Sequence, residues 1–86
     1  MQPSEQDIRN TLLTYLRTHV LALGVPIADD SDLPALGIDS VTIVELAMHV
    51  EERFSLEIPV AQLTPDHTRT VRALSACALQ FGKPLS

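Results

Sequence analysis

Ser40 follows Gly37-Ile38-Asp39, where a glycine-bearing loop gives way to a helical pattern. A serine in that place has three possible uses. It can cap the helix, its oxygen accepting a backbone N–H of the first turn. It can act as a nucleophile, which requires a base within hydrogen-bond reach. It can also serve as a tether, because a phosphoryl group on its oxygen would sit where unpaired N–H groups and the helix dipole favour an anion. The nucleophile reading is the weakest. His49 is nine residues along the same stretch, about 13 Å away by axial rise. Val41 and Thr42 follow the serine, so the G-x-S-x-G elbow is missing. His19 and His67 lie in other segments. The tether fits the physics best, while Asp39 beside it also reads as a helix cap.

Other reactive residues form weaker patterns. Asp29, Asp30 and Asp32 resemble the opening of a calcium loop, but the glycine and distal glutamate such a loop needs do not follow. A solvated acidic loop is expected there. The three histidines have no i, i+3 or i, i+4 pairing and no cysteine at ligand spacing, so no zinc site is expected. Cys77 is the sole cysteine and cannot form an internal disulfide, which fits a reducing compartment. It flanks an apolar stripe and reads as a small hydrophobe. Tyr15 has no motif around it and is expected to be partly buried.

The elements that position Ser40 follow from punctuation and periodicity. Ser4, with Asp7 three places on, resembles a capping box. Ile8, Leu12, Leu16 and Val20 then recur at helical spacing, predicting a helix that ends near Leu23 with Gly24 as its cap. From Val25 to Asp39 the pattern is a long loop, tied down by Ile27, Leu33, Leu36 and Ile38. Loops of this length in small domains are often functional. A second helix spans Ser40 to Phe54, with extended chain at Glu57-Ile58-Pro59. Val60 to Leu63 is expected as a short helical turn stopped by Pro65. The last helix starts around Thr70 and ends at Gly82 and Pro84. No segment has the alternation of a strand, so the class is all-α.

The second helix has more apolar surface than a core stripe needs. On a helical projection Ile43, Leu46, Ala47, Val50 and Phe54 share one face. Val41, Val44 and Met48 form a second stripe, bordered by Glu45 and Glu52 on one side and Glu51 on the other. One reading makes Val44 an extension of the core face, with Val41 and Met48 as ordinary exposed hydrophobes. The other is a partner-docking strip, apolar in the middle and acidic at its rim. Projection alone leaves both open. Phe54→Ala is expected to cost about 3–5 kcal/mol if Phe54 lies in the core.

Composition removes several classes. The 86 residues suit one domain spanning 1–86, and 45% hydrophobic content is enough for a core. Aromatics at 3% are too few for stacking bases. A net charge of −5 disfavours nucleic acid and anionic membranes and favours basic partners. Met1-Gln2-Pro3-Ser4-Glu5 lacks the layout of a secretory signal. The apolar run Val20 to Ala28 is interrupted and too short to cross a bilayer. A cytoplasmic monomer is expected.

Leu36-Gly37-Ile38-Asp39-Ser40, then Val44-Glu45-Leu46, Glu51-Glu52-Arg53-Phe54, Glu57-Ile58-Pro59 and Thr70-Val71, resembles the acyl carrier protein family over nearly the whole chain. The resemblance implies a four-helix bundle with three longer helices and a short third one near Val60 to Leu63. It implies 4′-phosphopantetheine, transferred from coenzyme A to Ser40 by a phosphopantetheinyl transferase that Asp39 helps to engage. The arm's thiol would hold an acyl group as a thioester, so the chain would be a carrier and not an enzyme. Its partners would be a ketosynthase, acyltransferase, ligase or similar enzyme with a basic docking patch. Asp39, Val41, Val44, Glu45, Met48, Glu51 and Glu52 are the residues expected to meet them.

Four departures from the family pattern bear on the pathway. Val41 stands for the usual Leu, Ala35 for an acidic residue, and Thr42 for another. Val60-Ala61-Gln62-Leu63-Thr64-Pro65 replaces a strongly acidic segment. Weaker charge steering leaves more of the recognition to shape. Polyketide or another specialised biosynthesis is therefore expected over primary fatty-acid synthesis. An aminoacyl or peptidyl carrier is a further alternative, as is an adaptor with no arm.

Overall fold

The structure, a computed structural model, describes residues 3–21 and 24–84. Helix α1 spans Glu5–Tyr15 and opens with the expected capping box. Ser4 Oγ accepts the Asp7 N–H at 3.1 Å, and Asp7 Oδ2 accepts the Ser4 N–H at 3.3 Å. Leu16–Val20 continue as a π-helical turn, in which the Leu21 N–H reaches Leu16 O at 2.8 Å. The extra residue in that turn rotates the apolar stripe, so Ile8, Leu12 and Leu16 are buried while Val20 is only partly so. Leu21 is extended, with φ −86° and ψ 148°, and the helical run stops at Val20. Gly24, at φ +88°, lies in the loop beyond instead of capping that run. The expected end at Leu23 falls outside the described residues.

The long loop is pinned by buried Ile27, Leu33 and Ile38, with Leu36 partly buried. Pro34–Leu36 form a 3-10 turn that closes on Gly37, whose φ of +83° requires glycine or strain. The acidic cluster is not simply solvated. Asp29 Oδ2 accepts Arg9 Nη1 at 2.7 Å and Arg72 Nη2 at 3.2 Å, and its carbonyl accepts the Arg72 N–H at 2.7 Å. Asp32 lies 3.6 Å from Arg69, and Asp30 is exposed. Asp29 thus ties the loop to both the first and last helices, a role decided by partners distant in sequence.

Burial pushes the Asp29 carboxyl upward, but hydrogen bonds and charge from Arg9 and Arg72 outweigh it and hold the group below its ordinary range. A carboxylate lowered in the folded state stabilises it above the ordinary range and loses that contribution as pH falls through the lowered value. Asp29→Asn therefore melts below the wild type at neutral pH, and the gap narrows on acidification. Melts of both proteins from neutral to acidic pH check this, and a gap independent of pH would overturn it.

Helix α2 covers Ser40–Phe54, as expected. It is ended by Ser55 in the left-handed region at φ +55°, before the chain reaches Pro59. Leu56–Glu57 (β1) then pair antiparallel with Lys83–Pro84 (β2). Two residues are too few to show alternation, which is why no strand is predicted from sequence. Val60–Gln62 form a 3-10 turn, followed by helix α3 at Pro65–Thr68. Pro65 opens α3; it does not merely stop the preceding turn. At the first helical position its missing N–H leaves no bond unmade. Helix α4, Val71–Phe81, is capped by Thr70 Oγ1, which accepts the Ala73 N–H at 3.0 Å. A Cβ at Gly82 would collide with the Ala78 carbonyl oxygen, so only glycine closes this helix.

The fold is all-α, with four α-helices among the described residues and a minimal two-stranded bridge. Helix α1 packs on α4 and α2, and α3 packs on α4. Leu12, Leu16, Leu33, Leu46, Val50, Val71 and Leu74 form the fully buried centre. Phe54 packs at the edge of this core and is only partly buried, which corrects its expected place inside the stripe. Among the described residues, no helix is long and apolar enough to cross a membrane.

Candidate functional site

The start of α2 decides between capping and tethering at Ser40. Asp39 is the cap: it is extended, with φ −91° and ψ 179°, and its Oδ1 accepts the Thr42 N–H at 2.9 Å. Ser40 is the first helical residue and is exposed, and its hydroxyl makes no hydrogen bond among the described residues. The Thr42 N–H, helped by the Thr42 hydroxyl, lowers the Asp39 carboxyl below its ordinary range, so it is anionic at neutral pH. The Ile43 N–H bonds to Asp39 O at 3.1 Å, whereas the Ser40 and Val41 N–H groups precede the first intrahelical bond. The hydroxyl is therefore accessible, with backbone donors beside it.

A groove of about 400 Å³ opens next to Ser40. Its apolar lining comes from Pro34, Ile38, Ile43 and Pro65. Its polar lining is Thr68, Arg69 and Asp39, together with Ser40. A covalent group with an anionic root and a partly aliphatic body fits this donor set. Sequence reading missed Arg69, because 29 residues separate it from Ser40 and only the turn after α3 brings it to the groove.

The second stripe of α2 is open to solvent. Val41, Val44 and Met48 are 64%, 46% and 52% exposed, so Val44 does not extend the core. Glu45 and Glu52 are exposed alongside them. Glu51 behaves differently: its Oε2 accepts the Ile58 N–H at 2.8 Å and ties α2 to the chain after β1. A shallow depression lined by Glu45, Met48, Glu52, Tyr15 and His49 continues the strip toward α1. Tyr15 is partly buried, as expected, and its ring lies tilted against His19 at 4.9 Å and His49 at 4.6 Å between centroids. No sequence signal marked the Tyr15–His49 contact, since it joins two helices and depends on packing.

The remaining reactive groups lie apart from Ser40. His67 Nδ1 is 2.7 Å from Gln62 O, and its ring packs on Phe81. Cys77 is buried, its thiol pushed up by burial, with Sγ 3.6 Å from the same carbonyl. Both contacts hold the α3 segment against α4. No group of three His, Cys, Asp or Glu side chains is placed to hold a metal among the described residues.

Comparison with known proteins agrees with this geometry. The aminoacyl carrier protein 2 of Bradyrhizobium diazoefficiens is 29% identical over 75 residues, covering 85% of this chain and 84% of that protein. Aminoacyl carrier protein 1 of the same organism is 28% identical over 86 residues, covering 98% and 96%. A family model described as "Phosphopantetheine attachment site" matches residues 14–78, a span that contains Ser40 and the groove beside it. With an unengaged hydroxyl at the head of α2 and a match over most of its length, the chain belongs to the phosphopantetheine attachment site family, whose cofactor is covalently attached 4′-phosphopantetheine.

Proposed function

We propose that this chain is a discrete carrier that bears its 4′-phosphopantetheine arm on Ser40 and presents an aminoacyl group, held as a thioester, to partner enzymes. The observation that carries this reading is the division of labour at α2, with Asp39 capping and the Ser40 hydroxyl free of hydrogen bonds among the described residues. An adaptor without an arm would have no need for that arrangement. The arm's thiol supplies the thioester chemistry, and the protein's part is to hold and orient it.

The names of the two relatives, both of similar length, favour an aminoacyl cargo over a polyketide intermediate. The departures at Ala35, Val41, Thr42 and Val60-Ala61-Gln62-Leu63 argue further against primary fatty-acid synthesis. Two experiments test the cargo. Mild hydroxylamine treatment of the protein isolated from its producer should release an amino acid hydroxamate, and a fatty acyl hydroxamate would overturn the assignment. Introduced into a strain that lacks its fatty-acid carrier, the gene should give no robust rescue.

The phosphopantetheinyl transferase and the cargo-handling enzymes dock, in this reading, on Val41, Val44 and Met48, with Asp39, Glu45 and Glu52 at the rim. Glu51 contributes mainly by holding the end of α2. Tyr15 and His49 extend the surface onto α1. Basic partners gain both steering and apolar contact from it. Glu45→Lys and Met48→Ala should slow cargo transfer severalfold while stability stays within about 0.5 kcal/mol. Thioester formation rates and thermal melts check this together. Unchanged rates in both variants would place docking elsewhere.

A further inference from the structure

We infer that Arg69 is the counter-ion of the arm's phosphodiester, and that the arm's proximal half rests in the groove between the head of α2 and the turn after α3 when no partner holds it. This rests on the carrier reading above. Modification at Ser40 puts a permanent negative charge beside Asp39, which is held on the Thr42 N–H at 2.9 Å and cannot turn away without uncapping α2. Like charges this close repel, and the helix N-terminus offsets only part of that cost. A cation on the groove would offset the rest. Arg69 is the one cationic side chain among the described residues that line it.

Three details favour Arg69 for this role. Its backbone is fixed, because its carbonyl accepts the Leu33 N–H at 2.9 Å across the base of the long loop. Its side chain is 70% exposed, and among the described residues its guanidinium pairs with Asp32 alone, at 3.6 Å, too long for a hydrogen bond. Its donors therefore remain available for a phosphate, the anion that a planar guanidinium pairs with best. Thr68, beside it in the lining, already donates its hydroxyl to Thr64 O at 3.0 Å. In the same groove, Ile38, Ile43 and Pro65 offer apolar surface to the geminal methyl groups that follow the phosphate in pantetheine. Arg69 would thus position the arm without taking part in thioester chemistry.

The test uses the full chain loaded from a fluorescent coenzyme A by a broad-specificity transferase. In the wild type, arm anisotropy should exceed that of free fluorescent phosphopantetheine, and the Arg69 Nε–H resonance should move between the apo and loaded forms. Arg69→Glu should lower the arm's anisotropy below that of the loaded wild type, whereas Arg53→Gln, on the last turn of α2, should leave it at the wild-type value. A loaded Arg69→Glu protein with wild-type anisotropy would overturn the inference, as would an unmoved Arg69 Nε–H resonance in the wild type. The second readout stands even if Arg69→Glu fails to fold. A wild-type chain that accepts no adduct would instead refute the carrier reading, and the inference with it.

Discussion

Ser40→Ala should abolish pantetheinylation completely while leaving the fold intact. Intact mass after incubation with coenzyme A and a transferase shows an added arm on the wild type and none on the variant. The change removes one exposed hydroxyl that bonds to nothing among the described residues, and alanine is the best helix former for the first turn. Stability should therefore stay within about 0.5 kcal/mol of the wild type. Asp39→Ala gives the opposite pattern. It leaves the Thr42 N–H without its 2.9 Å partner, loosening the start of α2 and lowering the melting temperature. Modification should slow but not vanish, because the attacking oxygen is still present. Any arm on the Ser40→Ala protein would refute the attachment site, and a wild-type melting temperature for Asp39→Ala would refute the cap.

The second large effect is on stability. Leu46→Ala should cost about 3–5 kcal/mol, because its side chain is fully buried between α2 and the helices on either side and the cavity cannot collapse freely. For a chain of this size the whole margin is roughly 4–13 kcal/mol, so the substitution removes a large share of it. Phe54→Ala should cost only about 2 kcal/mol, less than its ring size implies. Phe54 packs on the core from its edge, with the Arg53 guanidinium 5.6 Å from the centre of its ring. Urea unfolding of both variants ranks them. Equal costs would mean that Phe54 is as enclosed as Leu46.

Local chemistry was readable without the fold wherever the partners lie within a few residues of each other. The Ser4–Asp7 capping box, the bounds of α2 and the start of α4 behind Thr70 all depend on contacts three or four places apart. The core faces of α1, α2 and α4 followed from the same spacing. So did the hydroxyl at the head of α2, although whether Ser40 or Asp39 served as the cap depended on backbone angles that a residue pattern leaves open.

Tertiary structure decided what distant segments do to one another. Exposure of Val44 could be judged only once α1 and α4 had covered the opposite face of α2. Asp29 was indistinguishable from its acidic neighbours until Arg9 and Arg72 converged on it. The π-helical turn, the opening of α3 at Pro65 and the short β1–β2 bridge reflect packing stronger than local preference. Arg69 reaches the groove beside Ser40 for the same reason. Helical hydrogen bonds act over one turn, so the order of residues encodes them directly, whereas a groove exists only where separately formed segments meet.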